Sequence, residues 1–412
     1  MNAEVWGNSK IRGEVSVGGA KNAALPILAA SLLASKRIEI SRIPDLADVR
    51  EMISMLRALG MEISFVNNTV SLLPNDLKGD ISGFSSGIRA SILLLGPLTL
   101  KTGKAKISYP GGCSIGQRPI DIHLNGLRKL GFRVSVKGKV VEAVPMRRPR
   151  QVNIRLSFPS VGATEHLMTT ASIMKGTETE LLNCAKEPEI VDLQRFLNSM
   201  GARILGAGTS RIHIKGVPRL LSVHHEVIGD RIEAGTYAIL TMASGGDLIV
   251  KGITPSTLNF VDVLRKMGGV ISIHDNSMRI RASELMPMEV VTAPYPGFPT
   301  DLQPQITVLA CKAKGISKIT EKIFENRLGH VEELKKMGAI LDVVGQAIKI
   351  NGPQVLHGAK VVGKDLRETA AMVIAAAIAD GPSEIENFEI LFRGYENVVE
   401  KLNKIGVRVI TS

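Results

Sequence analysis

The stretch LRALGMEI, Leu56 to Ile63, decides the fold, because the chain carries it six times. LRKLGFRV follows at Leu127, LNSMGARI at Leu197, LRKMGGVI at Leu264, LKKMGAIL at Leu334 and LNKIGVRV at Leu402. The shared glycines, Gly60, Gly131, Gly201, Gly268, Gly338 and Gly406, stand 71, 70, 67, 70 and 68 residues apart. Self-similarity at a steady period marks a chain built from one repeated supersecondary unit. In each copy an amphipathic helix runs into Gly, which enters the left-handed region with no Cβ penalty and so ends the helix cheaply. Alternating apolar residues after the glycine then signal a strand.

Upstream of each glycine lies a second, more apolar helix candidate: NAALPILAASLLA, RASILLLGPLTL, TEHLMTTASIM, EAGTYAILTMAS, LQPQITVLACKA and RETAAMVIAAAIA. Their composition predicts buried helices. Each is followed by a strand signal, namely RIEISRI, KAKISYP, ETELLNC, GDLIVKG, GISKITE and SEIENFE. The repeat is thus an α/β module of roughly 70 residues and β-α-β-α-β-β type. Six modules divide as three plus three, with a crossover expected between His224-His225 and Gly229-Asp230. A continuous solenoid is the rival arrangement. It is disfavoured because modules with two buried helices can enclose a core in groups.

Composition narrows the function classes. The 412 residues are 44% hydrophobic and 22% charged, the balance of a globular protein of several domains. A net charge of +12 favours anionic partners, whether nucleic acid, acidic membrane or phosphorylated metabolite. One Trp, four Tyr and ten Phe are few rings for stacking single-stranded nucleic acid. The three cysteines, Cys113, Cys184 and Cys311, lie far apart, which suits a reducing cytoplasm and argues against a metal site. The longest nearly apolar run, Ala23 to Ala34, is too short to span a bilayer. The reading is therefore a cytoplasmic protein with no membrane anchor.

Helix N-termini present unpaired N–H groups and a positive dipole end, so the residues preceding the buried helices matter. These loops carry Lys21, Arg89, Arg118, Arg327, Arg367 and Arg393 at comparable points of the repeat. Any one of them reads as a surface charge. Six facing one cleft would bind several phosphates or carboxylates. Cys113 sits among Gly111, Gly112 and Gly116 with Arg118 five residues on, a setting that predicts an exposed, activated thiol. Cys184 and Cys311 read as buried and inert. Asp301 opens a helix after Pro299-Thr300, where a first-turn carboxylate is expected in any case; a role as general base depends on the cleft. His224, His225 and His330 lack ligand-type spacing and read as structural.

Nine segments carry a resemblance that covers essentially the whole chain. GGAKNAALPILAA at Gly18, PGGCSIGQRPIDIH at Pro110, FPSVGAT at Phe158, KEPEIVDL at Lys186, GDRIEAGTY at Gly229, FPTDLQPQ at Phe298, IFENRLGHV at Ile323, DLRETAA at Asp365 and FRGYE at Phe392 resemble the UDP-N-acetylglucosamine enolpyruvyl transferases. The resemblance implies two inside-out α/β barrel domains of three repeats each, with the active site between them. It places residues 20–228 in the first domain, with the Cys113 loop, and 1–19 with 229–412 in the second, with Asp301, Arg327, Arg367 and Arg393.

It also implies the reaction: the enolpyruvyl group of phosphoenolpyruvate passes to the 3′-hydroxyl of UDP-N-acetylglucosamine and phosphate leaves, the first committed step of peptidoglycan synthesis. No metal or other cofactor is implied, and neither is an obligate protein partner. Cys113 matches the proton donor to the methylene carbon and Asp301 the base near the sugar hydroxyl. Lys21, Arg118 and Arg393 match phosphate ligands, and Arg327 and Arg367 the cations around the carboxylate and tetrahedral intermediate. Asn22, Arg89, Asp301 and Ile323 match sugar-nucleotide contacts. Arg118, Pro119, Ile120, Asp121 and Ile122 match the uridine side, and Ser160 and Val161 belong to the same substrate-binding set. Phe158 stands where some members carry Lys, which puts one diphosphate contact in question.

Three rival readings compete with this one. A transferase acting on shikimate 3-phosphate shares the implied fold but lacks the Cys loop. An RNA-binding or RNA-end-processing protein would use the positive charge, against which stand the few aromatics and scattered basic residues. A non-catalytic paralogue is opposed by the intact Cys113, Asp301 and arginines.

Overall fold

The computed structural model describes residues 1–84, 87–111 and 119–412. Ser85, Ser86 and the segment 112–118, which holds Cys113 and Arg118, lie outside the described residues. Among the described residues the chain divides into two compact units, one built from 19–84, 87–111 and 119–228 and the other from 1–18 with 229–412. It passes between them at Gly18-Gly19 and again at Ile228-Gly229.

Each unit holds three four-stranded sheets of one pattern. In the unit of 1–18 and 229–412, Arg12–Ser16 lies parallel to Asp247–Lys251, which pairs antiparallel with Ser277–Ala282, itself antiparallel to Gly269–His274. Glu289–Val291, Gly315–Thr320, Ala347–Gly352 and Leu341–Val344 repeat this order. So do Lys360–Val362, Pro382–Glu386, Ala3–Trp6 and Val409–Thr411, with the N-terminal strand inserted between the last two C-terminal ones. In the unit of 19–228 the strand His224–Glu226, from its very end, lies parallel to Ile38–Ser41. Neither first module is therefore closed by its own neighbouring sequence.

The six repeated glycines all have positive φ, between 86° at Gly338 and 100° at Gly60. The helix-to-strand reversal thus recurs six times for one local reason: only a residue without Cβ adopts this backbone at little cost. The returning hairpins use the same logic. Asn67 and Asn68, at φ 47° and 58°, form a two-residue loop whose twist suits the antiparallel strands Met61–Val66 and Thr69–Pro74.

The apolar helices lie at the centre of each unit. Lys21–Ala30, Val161–Ser172 and the Arg89–Leu94 3₁₀ turn with its continuation Leu95–Thr102 pack together in one. Arg231–Ala243, Gln303–Lys312 and Leu366–Ile378 pack together in the other. Leu366 to Ala377 is buried on every side, so its sequence shows no polar stripe. Strands alternate instead, as in Arg211–Lys215, where Ile212 and Ile214 face the core and the other three are exposed. Each unit has its own hydrophobic core. Among the described residues no helix is long and apolar enough to cross a membrane.

Candidate active site

In the unit of 229–412, three sequence-predicted residues meet. Asp301 lies in the 3₁₀ turn Thr300–Leu302 ahead of helix Gln303–Lys312. Its Oδ1 accepts from Arg327 Nη2 at 2.9 Å, and its Oδ2 from Arg367 Nη2 at 2.9 Å and Nε at 3.2 Å. The carboxylate expected as a helix-start cap thus binds two guanidinium groups. The side chains of Arg327 and Arg367 are only 3% and 4% exposed, whereas Asp301 is 26% exposed. The arginines are buried behind the carboxylate, which alone reaches solvent. Burial of a cation is tolerable only when it is paired and hydrogen-bonded.

The pairing is thorough. Arg367 also donates from Nη1 to the Tyr395 hydroxyl at 3.3 Å and lies 5.6 Å from that ring centroid. Burial works against its charge, but Asp301, Tyr395 and Asp230 outweigh it and hold the guanidinium pKa above its ordinary value. Arg367 is placed by its helix, whose cap Asp365 accepts from the Arg367 and Glu368 N–H groups at 2.7 and 3.1 Å. Arg327 donates from Nη1 to Thr300 Oγ1 at 3.0 Å, and that hydroxyl donates to Glu321 Oε2 at 2.9 Å. Glu321 Oε1 accepts from Thr292 and from the N–H groups of Ile323 and Phe324 at 2.9, 2.7 and 3.1 Å. One buried carboxylate therefore ties the Ile323 segment to the turn carrying Asp301. Arg393 ends the 3₁₀ helix Phe388–Arg393, two residues before Tyr395.

In the unit of 19–228, Lys21 and Asn22 open helix Lys21–Ala30, and Arg89 opens the Arg89–Leu94 turn packed on it. Lys21 Nζ meets Asp48 Oδ2 at 3.2 Å, and both are largely buried. Asp48 lies in the first turn of helix Ala47–Ala58, where a carboxylate complements the dipole. Helix Lys21–Ala30 has no side-chain cap at Ala20. A lysine at such a start reinforces the positive end. Pro119 and Ile120 precede helix Asp121–Lys129, which carries Ile122 and packs on helix Val161–Ser172. Ser160 caps the latter, its hydroxyl accepting from Ala163 N at 3.3 Å. Phe158 is 45% exposed.

The sequence reading gave no role to Tyr395, Thr300, Glu321 or Asp48. Tyr395 stood inside the FRGYE motif and was open to discovery there; the other three are ordinary polar residues until the fold supplies their partners.

A family model described as EPSP synthase (3-phosphoshikimate 1-carboxyvinyltransferase) matches residues 5–402, and the chain belongs to this family of enolpyruvyl transferases. Solved members share its fold. The enolpyruvyl transferase NikO from Streptomyces tendae superposes with a TM-score of 0.89 at 23% identity, covering 99% of this chain and 98% of that one. EPSP synthase from Acinetobacter baumannii gives 0.81 at 17% identity, with full coverage of both. Sequence relatives divide the family further. UDP-N-acetylglucosamine 1-carboxyvinyltransferase of Thermotoga petrophila is 48% identical over 98% of this chain and 97% of its own length. The protein of that name from Kosmotoga olearia is 45% identical over 98% and 97%.

Proposed function

We propose that this protein transfers the enolpyruvyl group of phosphoenolpyruvate to the 3′-hydroxyl of UDP-N-acetylglucosamine, releasing phosphate. The observation that carries the reading is the 48% identity, at 98% coverage, to a relative named for that reaction. The shikimate 3-phosphate reading is disfavoured, since the EPSP synthase above is only 17% identical. On this reading the protein works in the cytoplasm and commits sugar nucleotide to peptidoglycan.

The chemistry needs an acid, a base and fixed cations. Cys113 gives a proton to the methylene carbon, and positive charge develops at C2. The 3′-oxygen bonds to C2 as its proton passes to Asp301. The tetrahedral adduct then loses a proton from the new methyl group and phosphate leaves. Lys21, Arg118 and Arg393 hold the phosphate, and Arg327 and Arg367 hold the substrate carboxylate and the adduct. Asn22, Arg89, Ile323 and Asp301 take the sugar nucleotide, with Arg118 to Ile122 on the uridine side and Ser160 and Val161 beside it. The Asp301 pairing supports this division: the arginines pre-orient the base, and they are the cations an incoming carboxylate would share.

Each unit is then an inside-out α/β barrel, with helices inside three outer sheets, and the domains run 20–228 and 1–19 with 229–412. The central packing of the apolar helices supports this. The deciding experiment is phosphate release from phosphoenolpyruvate with UDP-N-acetylglucosamine against shikimate 3-phosphate. Release only with the latter overturns the reading.

A further inference from the structure

We propose that Glu368 is a positioning residue for this reaction: on losing its proton it draws the Arg327 guanidinium from Asp301 and frees that carboxylate to act as a base. The inference rests on the role given to Asp301 above. It begins with buried polar atoms left unpaired on three side chains.

Arg327 uses Nη1 and Nη2 on Thr300 and Asp301, but its Nε is buried and makes no hydrogen bond. Glu368, in the first turn of helix Leu366–Ile378, is 4% exposed, and its Oε2 has no donor. His330 is fully buried and neither ring nitrogen has a partner. Gly329 brings these together. A Cβ there would lie 2.5 and 2.8 Å from the two Glu368 oxygens, so only glycine lets the segment following Arg327 rest on the carboxyl group. Buried groups left unsatisfied are costly and rare, and these stand on two helices that pack together and on the loop leading into one of them, which calls for a function.

The repeat supplies an internal comparison. Glu233 stands at the same point of helix Arg231–Ala243, three residues after its cap Asp230, as Glu368 stands after Asp365. Glu233 accepts from Gly18 N at 2.9 Å and from Lys401 Nζ at 2.7 Å. Glu368 has no such lysine. His330, on the adjoining helix, is no substitute, because burial and then the charge of Arg327 push that imidazole down to about 3 and keep it neutral.

Burial and the charge of Asp365 raise the Glu368 carboxyl to about 7, against the opposing pull of Lys364, Arg327 and the Gly329 N–H. Other charges around the helix are engaged or turned away. Lys364 meets Glu333 at 3.0 Å. Helix Gln303–Lys312 has one charge, Lys312, bonded to the Gln354 carbonyl. Strands Ala3–Trp6 and Pro382–Glu386 bury Ala3, Val5, Ser383 and Ile385 and point Glu4, Glu384 and Glu386 the other way. From the Phe388–Arg393 turn come Glu389, paired with the chain amine, and Arg393.

A neutral Glu368 leaves Arg327 to Asp301. Once its proton passes to solvent, two carboxylates compete for one guanidinium whose Nε makes no other hydrogen bond. A carboxylate gripped by two guanidinium groups is a weak base, and one released from half that grip is stronger.

The test follows the Arg327 Nε–H resonance in the isotope-labelled full chain, identified by its loss in Arg327→Lys. A shift with its midpoint near pH 7 in the wild type, absent in Glu368→Gln, is expected. No inflection in the wild type, or the same inflection in the variant, overturns the proposal, and neither result depends on turnover. In kinetics, wild-type kcat should rise across the same pH range. Glu368→Gln should be flat there and about tenfold lower above it, with KM for the sugar nucleotide unchanged. A uniform loss with the pH rise intact would mean that Glu368 only supports the fold. Absence of turnover in the wild type would strike the reaction assigned above and leave the resonance test standing.

Discussion

Arg367 sets two nitrogens, Nε at 3.2 Å and Nη2 at 2.9 Å, against the single oxygen Oδ2 of Asp301. With Arg327 on Oδ1 at 2.9 Å, the plane of the carboxylate is fixed before any substrate arrives. A base held in one orientation loses little entropy at the moment of proton transfer.

Asp301→Asn keeps the shape but removes the base, and its amide nitrogen can accept from neither arginine, so only one of the two guanidinium contacts survives. Turnover should fall by about 10² to 10⁴ while affinity for UDP-N-acetylglucosamine changes little. Arg367→Lys, which cannot make the forked contact, should lower kcat through misorientation of Asp301 and also raise KM for phosphoenolpyruvate, whose carboxylate it helps to hold. Steady-state phosphate release and calorimetric binding separate the two effects. Near-normal turnover in Asp301→Asn would show that the hydroxyl proton leaves by another route.

The reactive thiol is expected to be Cys113. Cys184 and Cys311 are buried, and burial pushes each thiol up to about 12, far from thiolate at neutral pH. Treatment with the epoxide fosfomycin in the presence of sugar nucleotide should mark Cys113 alone by mass spectrometry. Cys113→Ala should lose nearly all turnover. Cys113→Asp should retain activity, since a carboxylic acid can also give the proton, and should resist the epoxide. An adduct on Cys184 or Cys311 instead would sink the assignment.

Two repeat glycines separate strain from collision. At Gly201, φ is +99° and an added Cβ meets nothing within 4 Å, so Gly201→Ala should cost only the left-handed backbone penalty, about 1–2 kcal/mol. At Gly268, with φ +98°, the Cβ would lie 2.2 Å from the Glu284 carbonyl oxygen, and Gly268→Ala should cost clearly more. Urea unfolding of the two variants measures the gap. Equal losses would mean that the Glu284 backbone yields freely.

Acid should weaken the fold through its buried histidines. His166 accepts the Gly96 N–H at 2.9 Å through Nε2 and is pushed down to about 3 by burial, as His330 is by burial and Arg327. Their folded pKa values lie below the unfolded value, so the unfolded chain binds the extra protons. The stability they protect is present above about pH 6.5 and is lost as pH falls towards 3, by up to about 1.4 kcal/mol per pH unit for each histidine. Glu368, raised to about 7, has the opposite sign and costs stability as pH rises from about 4.5 to 7. His330→Leu should therefore flatten the decline in urea midpoint between pH 6.5 and 5. An unchanged slope would show that His330 takes up a proton without unfolding.

What the sequence determined by itself is local. Helix ends at Gly60, Gly131, Gly201, Gly268, Gly338 and Gly406 were legible because a positive φ is a property of one residue and its missing Cβ. The strands Ile38–Ser41 and Asp247–Lys251 were legible because alternation along a strand reflects one buried and one wet face. Candidate cations at helix starts could be named for the same reason. Tertiary structure decided everything that joins distant positions. It placed Ala3–Trp6 between strands near residues 385 and 410, and His224–Glu226 beside Ile38–Ser41. It also chose Asp301, 66 residues from Arg367, as the partner of two arginines, and gave Glu233 a lysine while leaving Glu368 with none. Pairing energies depend on distance and burial, and neither is written in the order of residues along the chain.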